Sequence, residues 1–273
     1  MTNQSAIVVG AGIVGLAVAR ALALKGFSVT VIERSHIATG ASIRNFGMVW
    51  PIGQPSGKLY DRAMRSRSVW MEMSSKKVFW SEPAGSLHLA YLPEELQVLE
   101  EVKSHYQYKR DLSLMNASDV LSKSPAVNKD GLLGGLYSPY ECIVDPREAI
   151  RNLPAYLSEK YQVKFIWGTT VNAIQNNTVI AGSKSYPADL IFVCTGKDFE
   201  TLYPDTFSSL NITKCKLQMM RINAQPGNWR IGPALCGGLS LVHYKSFEAA
   251  ESLGALKNFI SKRCPTTSSG VYM

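Results

Sequence analysis

The sequence lacks paired cysteines and closely spaced metal ligands. Its five cysteines lie far apart with no Cys-x-x-Cys pair, and its four histidines show no ligand spacing. This pattern argues against both a disulfide framework and a zinc site. We therefore expect a reduced, cytoplasmic protein that binds no metal ion.

The sequence also lacks an apolar run long enough to cross a membrane. Residues 6–19 are uncharged, but the run ends at Arg20 and no basic residue precedes it as one would in a signal peptide. A spanning helix needs roughly 18 or more apolar residues. We expect a buried strand followed by a helix here, and no integral membrane segment.

Long blocks of like charge are missing as well. The net charge is +8, yet the basic residues are spread along the chain in short groups such as 62–67 and 76–77. No nucleic-acid recognition motif accompanies them. We expect an anionic cofactor or substrate and no nucleic-acid partner, and the oligomeric state stays open.

What the sequence does contain is a strong βαβ signal at its start. Residues 6–9 are an apolar run typical of a buried parallel strand, 12–24 is rich in the helix formers Ala and Leu, and 28–32 is a second β-branched strand. Together they predict one βαβ unit.

The turn of this unit carries a Gly-x-Gly-x-x-Gly motif formed by Gly10, Ala11, Gly12, Ile13, Val14 and Gly15. In this context Gly10 permits a tight turn, Gly12 lets backbone approach a pyrophosphate, and Gly15 lets the helix lie close to the strand. Glu33 follows Gly15 by 18 residues and ends the second strand, where a carboxylate can accept ribose hydroxyls. The motif predicts a dinucleotide site but does not separate FAD from NAD.

The rest of the chain mixes helical and strand patterns around a long loop at 35–57. Helices are predicted at 58–79, 93–106, 116–121, 145–160 and 246–260. Strands are predicted at 86–91, 163–167, 170–174, 177–180, 189–194, 216–222 and 238–243, and 132–143 is predicted to form a pair of strands broken at Ser138 and Pro139.

Three further segments carry a family resemblance. The loop 41–47 (Ala-Ser-Ile-Arg-Asn-Phe-Gly), Val171 and the apolar strand 189–196 ending in Thr-Gly resemble the D-amino-acid oxidase and glycine oxidase (DAO) superfamily of FAD-dependent oxidoreductases. The resemblance implies that FAD is the cofactor. It adds the following cofactor contacts to those of the glycine motif and Glu33: Arg34, Ser42, Arg44, Asn45, Gly47, Val171, Thr195 and Gly196.

The resemblance also implies the fold. We expect an α/β protein with a Rossmann-like FAD-binding domain of the glutathione-reductase type, formed by 1–82 and 144–208. A substrate domain with a mixed, largely antiparallel sheet is expected from 83–143 and 209–273. The family normally continues beyond the point that corresponds to Met273, so we expect the substrate domain to be incomplete at its C-terminus.

The implied reaction is oxidation of the C–N bond of a small amine or amino acid by hydride transfer to flavin. Segments 44–54, 216–221 and 237–241 resemble a bacterial subgroup of amine oxidoreductases linked to aminophosphonate breakdown. Arg221 and Tyr244 are candidates for substrate contacts, although an edge arginine paired with a surface acid and a core tyrosine are the simpler explanation. No catalytic residue is assigned. Two alternatives stay open: an NAD(P)-dependent dehydrogenase and a truncated, non-catalytic flavoprotein.

Overall fold

The computed structural model describes residues 4–214, 220 and 222–263. The strands are β1 (Ser5–Val9), β2 (Ser28–Ile32), β3 (Met48–Val49), β4 (Ser81–Glu82), β5 (Ser86–Ala90), β6 (Ser113–Asn116), β7 (Gly134–Ser138), β8 (Cys142–Val144), β9 (Lys164–Ile166), β10 (Ala173–Gln175), β11 (Thr178–Ala181), β12 (Lys184–Pro187), β13 (Leu190–Val193) and β14 (Ala234–Cys236). The α-helices are α1 (Ile13–Leu24), α2 (Lys58–Ser75), α3 (Pro93–Tyr106), α4 (Ala117–Lys123), α5 (Pro146–Tyr161), α6 (Pro204–Ser208), α7 (Gly238–His243) and α8 (Leu253–Arg263).

The chain divides into two compact units, each assembled from separate segments. Unit 1 consists of Met1–Gly47, Lys76–Trp80 and Asp145–Arg221, and unit 2 consists of Met48–Ser75, Ser81–Val144 and Ile222–Met273.

The predicted first segment, 1–82, is divided between the two units. Its parts 48–75 and 81–82 belong to unit 2, because β3 and β4 both pair with β8 and α2 packs against the 3-10 helix Pro51–Gly53. The local sequence pattern predicts these elements but not the strands and helices against which they pack. The roles of the units as FAD and substrate domains stay predictions.

Unit 1 is built on a parallel sheet with the strand order β13-β1-β2-β9. In the centre of this sheet the side chains of β1 from Ala6 to Val9 are buried, as expected for a parallel strand covered on both faces. The predicted strands at 6–9 and 28–32 and the helix at 12–24 are confirmed to within a residue. A second sheet among the described residues of this unit is antiparallel, with the order β10-β11-β12, and β12 was not predicted.

Helix α5 of unit 1 begins as its sequence indicates. The Asp145 carboxylate accepts hydrogen bonds from the backbone N–H groups of Arg147 and Glu148 at 2.9 and 3.1 Å, and Pro146 occupies the first turn. Both features stabilise a helix N-terminus. The helix packs against α1 and covers the β9 side of the sheet.

Unit 2 contains a mixed sheet of order β14-β5-β7-β6, in which β14 runs parallel to β5 and the other pairs are antiparallel. The main core lies between this sheet and helices α3, α7 and α8. Its buried residues are Ile52, Ala90, Val98, Leu99, Val102, Tyr106, Leu112, Leu136, Leu241, Phe247, Ala250, Leu253 and Leu256. The predicted α/β class with a mixed second sheet is confirmed.

Buried polar side chains also shape unit 2. The Glu141 carboxylate accepts the Ile52 N–H at 2.9 Å and the Ser86 hydroxyl at 3.0 Å, and burial raises the pKa of this carboxyl despite these bonds. Arg110 donates to the carbonyl oxygens of Ile52 and Gln54 at 3.3 and 2.6 Å. The turn at 51–54 is therefore fixed by one buried acid and one buried base.

Two predictions near the end of the described chain are wrong. The segment 238–243 forms helix α7 and not a strand, so Tyr244 follows a helix. Within it Leu241 is buried but Leu239 is 42% exposed, so the alternating pattern does not correspond to two faces of a strand. The helix predicted at 246–260 is split into the 3-10 helix Lys245–Ala249 and α8.

Other boundaries shift less. Helix α2 ends at Ser75 and not at Phe79, since Lys77 adopts a left-handed conformation with φ of 57°. The strand predicted at 216–222 falls almost entirely outside the described residues. Over residues 4–214 and 222–263, no helix is both long and apolar enough to cross a membrane.

Candidate cofactor cleft

Unit 1 carries a cleft at the carboxyl ends of its four parallel strands, with a cavity volume of about 270 Å³. The loops that follow β1, β2, β9 and β13 all contribute to its walls. Its lining residues are Val9, Gly10, Gly12, Ile32, Glu33, Arg34, Ser35, Ala38, Thr39, Gly40, Ala41, Ser42, Arg44, Thr169, Thr170, Val171, Cys194, Thr195, Gly196, Lys197, Asp198, Thr201 and Leu202. This is the edge at which open parallel sheets bind nucleotides.

The glycine turn after β1 depends on the absence of side chains. Gly10 has a φ of +106°, and a Cβ atom there would lie 2.4 Å from the carbonyl oxygen of Cys194. A Cβ atom at Gly15 would lie 2.0 Å from the carbonyl oxygen of Gly10. Both distances are far below van der Waals contact, so only glycine lets α1 and β13 approach the turn this closely.

Two side chains engage the backbone N–H groups of this turn. The Glu33 carboxylate accepts the Ala11 N–H at 2.8 Å and the Ser35 N–H at 3.0 Å. The Ser42 hydroxyl accepts the Ile13 N–H at 3.0 Å, at the N-terminus of α1. The Ser42 oxygen therefore lies at the N-terminus of α1, where the helix dipole and the N–H groups of the first turn also favour a phosphate oxygen.

The cleft holds charges of both signs. Arg34, Arg44 and Lys197 are its basic residues, and Glu33 and Asp198 are its acidic ones. Basic side chains beside a helix N-terminus favour an anionic group such as a pyrophosphate.

One thiol also lines the cleft. Burial raises the pKa of the Cys194 thiol above its ordinary value, so the group is protonated and weakly nucleophilic near neutral pH. We assign it no chemical role.

The structure brings most of the predicted cofactor residues together. The predicted residues that line the cleft are Gly10, Gly12, Glu33, Arg34, Ser42, Arg44, Val171, Thr195 and Gly196. Those that do not line it are Ala11, Ile13, Val14, Gly15, Asn45 and Gly47.

The residues outside the lining have mainly backbone roles. Ala11 and Ile13 are the N–H donors to Glu33 and Ser42, and the Asn45 side chain accepts the Gly47 N–H at 3.0 Å in the following turn. Val14 points outward and is 62% exposed. Direct contact between any of these residues and FAD stays a prediction.

Sequence reasoning did not assign to the site the lining residues Val9, Ile32, Ser35, Ala38, Thr39, Gly40, Ala41, Thr169, Thr170, Cys194, Lys197, Asp198, Thr201 and Leu202. The loop after β9 is tied to the site because the Thr169 N–H donates to the carbonyl oxygen of Glu33 at 3.0 Å. The signal that could have found these residues is topological: once four parallel strands are predicted, the loops after their carboxyl ends converge.

The two candidate substrate residues do not add to this cleft. Arg221 lies outside the described residues. Tyr244 lies in unit 2, where its ring packs 6.1 Å from that of Trp50 and against Gly53. Its position fits the simpler alternative of a core tyrosine, and a substrate contact stays a prediction.

Comparison with known families identifies the family of the chain. The model of the family described as FAD dependent oxidoreductase (DAO) matches residues 5–244. The chain belongs to this DAO family. Its cofactor is therefore FAD, which excludes the NAD(P)-dependent alternative and confirms the resemblance noted in the sequence.

Relatives and solved structures of the family are consistent with this result. The tRNA 5-methylaminomethyl-2-thiouridine biosynthesis bifunctional protein MnmC of Saccharophagus degradans is 24% identical over 246 residues, covering 86% of this chain and 34% of that protein. Glycine oxidase from Bacillus cereus matches with a TM-score of 0.63 at 21% identity, over 74% of this chain and 58% of that chain. L-proline dehydrogenase from P. horikoshii matches with a TM-score of 0.61 at 25% identity, over 71% and 53%.

The chain spans about a third of the curated relative and just over half of the solved structures. Across that span the cleft fits FAD. The glycine cradle, the Ser42 hydroxyl at the N-terminus of α1 and the Glu33 carboxylate supply the donors and acceptors that a dinucleotide requires.

Proposed function

We propose that this chain, with FAD held in the unit 1 cleft, oxidises the carbon–nitrogen bond of a small amine or amino acid. The supporting observation is chemical. The names of the three relatives above specify glycine, L-proline and a methylaminomethyl group, and each of these carries a nitrogen on a carbon that bears hydrogen.

We assign the cofactor contacts from the cleft outward. The backbone at Gly10 and Gly12 and the Ser42 hydroxyl hold the pyrophosphate at the N-terminus of α1, and Glu33 accepts the ribose hydroxyls. Val171 lies on the adenine side, and Arg44 neutralises phosphate charge. All of these residues line the unit 1 cleft, as these roles require.

The reaction needs little acid or base catalysis from the chain. A hydride leaves the carbon next to the nitrogen, the nitrogen lone pair forms the C=N bond, and water then hydrolyses the imine to a carbonyl compound and an amine. Bound FAD supplies the acceptor for the hydride. The task of the protein is to bind and orient the substrate and to exclude competing reactions.

A second substrate class is favoured by a specific relative. MnmC is named for a methylaminomethyl group of tRNA and matches 86% of this chain, which favours an amine on a tRNA nucleoside as a second candidate substrate. The resemblance of 44–54 and 237–241 to an aminophosphonate-linked subgroup suggests a third candidate substrate, a small and anionic amine.

We favour a free small amine as the substrate. The absence of a nucleic-acid partner and the cytoplasmic location remain predictions.

The cofactor assignment is tested first. Purified protein should be yellow with the usual flavin absorption bands and should release FAD on denaturation. Glu33→Gln should weaken FAD binding about 10- to 100-fold, because a charged acceptor of ribose hydroxyls is lost. Glu159→Gln, on the exposed face of α5 in the same unit, should leave FAD affinity unchanged. A colourless protein that takes up no FAD on reconstitution would refute the assignment.

The substrate assignment is tested by anaerobic mixing of the FAD-loaded protein with single compounds. The panel contains glycine, L-proline, an N-methylated amine, 2-aminoethylphosphonate, a 2-hydroxy acid and undermodified tRNA. Bleaching of the flavin absorbance by a free amine, with formation of the matching carbonyl product, supports the proposal. Bleaching by the hydroxy acid or by tRNA alone, or by nothing in the panel, contradicts it, and the last result favours the non-catalytic alternative.

A further inference from the structure

An ion pair that was not predicted from the sequence crosses the cleft of unit 1. Arg34 Nη1 lies 2.6 Å from Asp198 Oδ2. Arg34 follows β2 and Asp198 follows β13, and β1 lies between these strands in the sheet. The pair therefore links two walls of the cleft across the carboxyl end of β1, where the chain turns at Gly10.

The acidic member of the pair is fixed in place. Asp198 is 6% exposed, and its carboxylate accepts the Glu200 and Thr201 N–H groups at 3.2 and 3.1 Å and the Thr201 hydroxyl at 2.7 Å. Burial acts to raise the pKa of this carboxyl, but these bonds and the Arg34 guanidinium outweigh it, so the pKa lies below its ordinary value. Asp198 is therefore ionised near neutral pH, and three hydrogen bonds from its own turn orient its carboxylate.

The basic member is held by one end only. The Arg34 side chain is 50% exposed, and over the described residues Asp198 is its sole hydrogen-bonding and ion-pair partner. Its remaining N–H groups and its planar face are thus available in the cleft. A free arginine of this length would lose much rotamer freedom on binding a ligand, whereas a tethered one has already lost it.

The adjacent residue indicates which part of a ligand Arg34 meets. Glu33 is the acid expected to accept the ribose hydroxyls, and Arg34 follows it directly at the end of β2. A guanidinium plane stacks well on an aromatic base. An arginine beside the ribose acceptor is therefore suited to the adenosine half of a dinucleotide.

We propose that Asp198 is a positioning residue for the cofactor: it holds the Arg34 guanidinium in the orientation that contacts the adenosine half of FAD. This inference rests on the proposed cofactor contacts in the cleft. It predicts that Asp198 affects FAD and ADP affinity only through Arg34.

The test is a double-mutant cycle on the full chain, with the affinities for FAD and ADP measured by fluorescence quenching and calorimetry. Arg34→Gln and Asp198→Asn should each weaken the binding of both ligands roughly 3- to 10-fold, as expected for losing one preorganised side chain. The double variant should bind within about twofold of Arg34→Gln alone. The control Asp189→Asn, a hydrogen-bonded aspartate of unit 1 that does not line the cleft, should leave both affinities unchanged.

Two outcomes overturn the inference while leaving FAD binding intact. Losses that add in the double variant show that Asp198 acts through the turn at 198–201 and not through Arg34. Tighter ADP binding by Asp198→Asn shows that the aspartate only neutralises a phosphate-binding arginine.

The remaining outcomes are also decisive. If Asp198→Asn does not fold, Thr201→Val, which removes the 2.7 Å hydrogen bond, should give a smaller loss that again disappears in the Arg34→Gln background. Failure of the wild-type chain to bind either FAD or ADP refutes the proposed cleft contacts themselves, and the inference falls with them.

Discussion

The buried histidine of unit 2 predicts that mild acid destabilises the protein. His88 is fully buried on β5, with its ring centroid 5.0 Å from that of Phe247 and 5.6 Å from that of Trp50. Neither ring nitrogen has a hydrogen-bond partner among the described residues. Burial alone lowers the pKa of His88 from 6.5 to about 3, because a charged imidazolium would be desolvated without compensation.

The direction of the effect follows from proton linkage. Below pH 6.5 the unfolded chain binds a proton at His88 that the folded chain does not bind until about pH 3. The stabilisation is therefore fully present above pH 6.5 and is lost as the pH falls towards 3. Between about pH 7.5 and about pH 4.5 the loss is about 2.7 kcal/mol, from roughly 1.4 kcal/mol for each pH unit below the unfolded-state pKa.

The assay is urea unfolding of the wild type and of His88→Leu at these two pH values. Carboxyl groups whose pKa is lowered in the folded state, such as Asp198 and Glu101, lose stabilisation in both proteins and cancel in the difference. The wild type should lose about 2.7 kcal/mol more than the variant on acidification. A difference below about 1 kcal/mol would refute the reasoning, since it would mean that the imidazole accepts its proton in the folded state.

Three further predictions concern stability at neutral pH. Gly15→Ala should destabilise the protein by about 1–3 kcal/mol or more because its Cβ would lie 2.0 Å from a carbonyl oxygen, whereas Gly254→Ala, with nothing within 4 Å of its Cβ, should be neutral or slightly stabilising. Asp145→Ala should cost about 1 kcal/mol through loss of the α5 N-cap. Leu136→Ala, at a fully buried position, should cost about 2–5 kcal/mol, against less than about 1 kcal/mol for its 40% exposed cross-strand neighbour Leu114. Urea unfolding checks all three. Equal effects in Gly15→Ala and Gly254→Ala, or in Leu136→Ala and Leu114→Ala, would contradict the packing arguments, and unchanged stability of Asp145→Ala would contradict the capping argument.

The parts of the fold that the sequence predicts well are those set by local signals. The strand at 6–9, the glycine turn and the helix at 12–24 each carry their own pattern, and Asp145 with Pro146 marks the start of α5 within one turn. Glycine spacing, capping and apolar runs act over a few residues, so one sequence suffices to interpret them.

The parts that could not be predicted depend on distant partners. The six residues at 238–243 fit an alternating strand and a short helix equally well. They form a helix because of their packing against α8 and β5. Asp198 reaches the cofactor cleft only because β13 lies beside β1, and its partner Arg34 is 164 positions away. No local pattern encodes a strand order, so this half of the ion pair was missed.

The order of strands in unit 1 also has a consequence for biosynthesis. Strand β1 meets β13 near Ser5 and Asp189, which are 184 positions apart and hydrogen-bonded in the folded protein. At ordinary elongation rates a ribosome needs roughly 10–40 s to make that intervening chain. During this interval β1 has only its neighbour β2, because β13 has not yet been made. Most of the segment 48–144, which is made in the meantime, belongs to unit 2. Nascent chains of this protein should therefore be clients of ribosome-associated chaperones until β13 has been made.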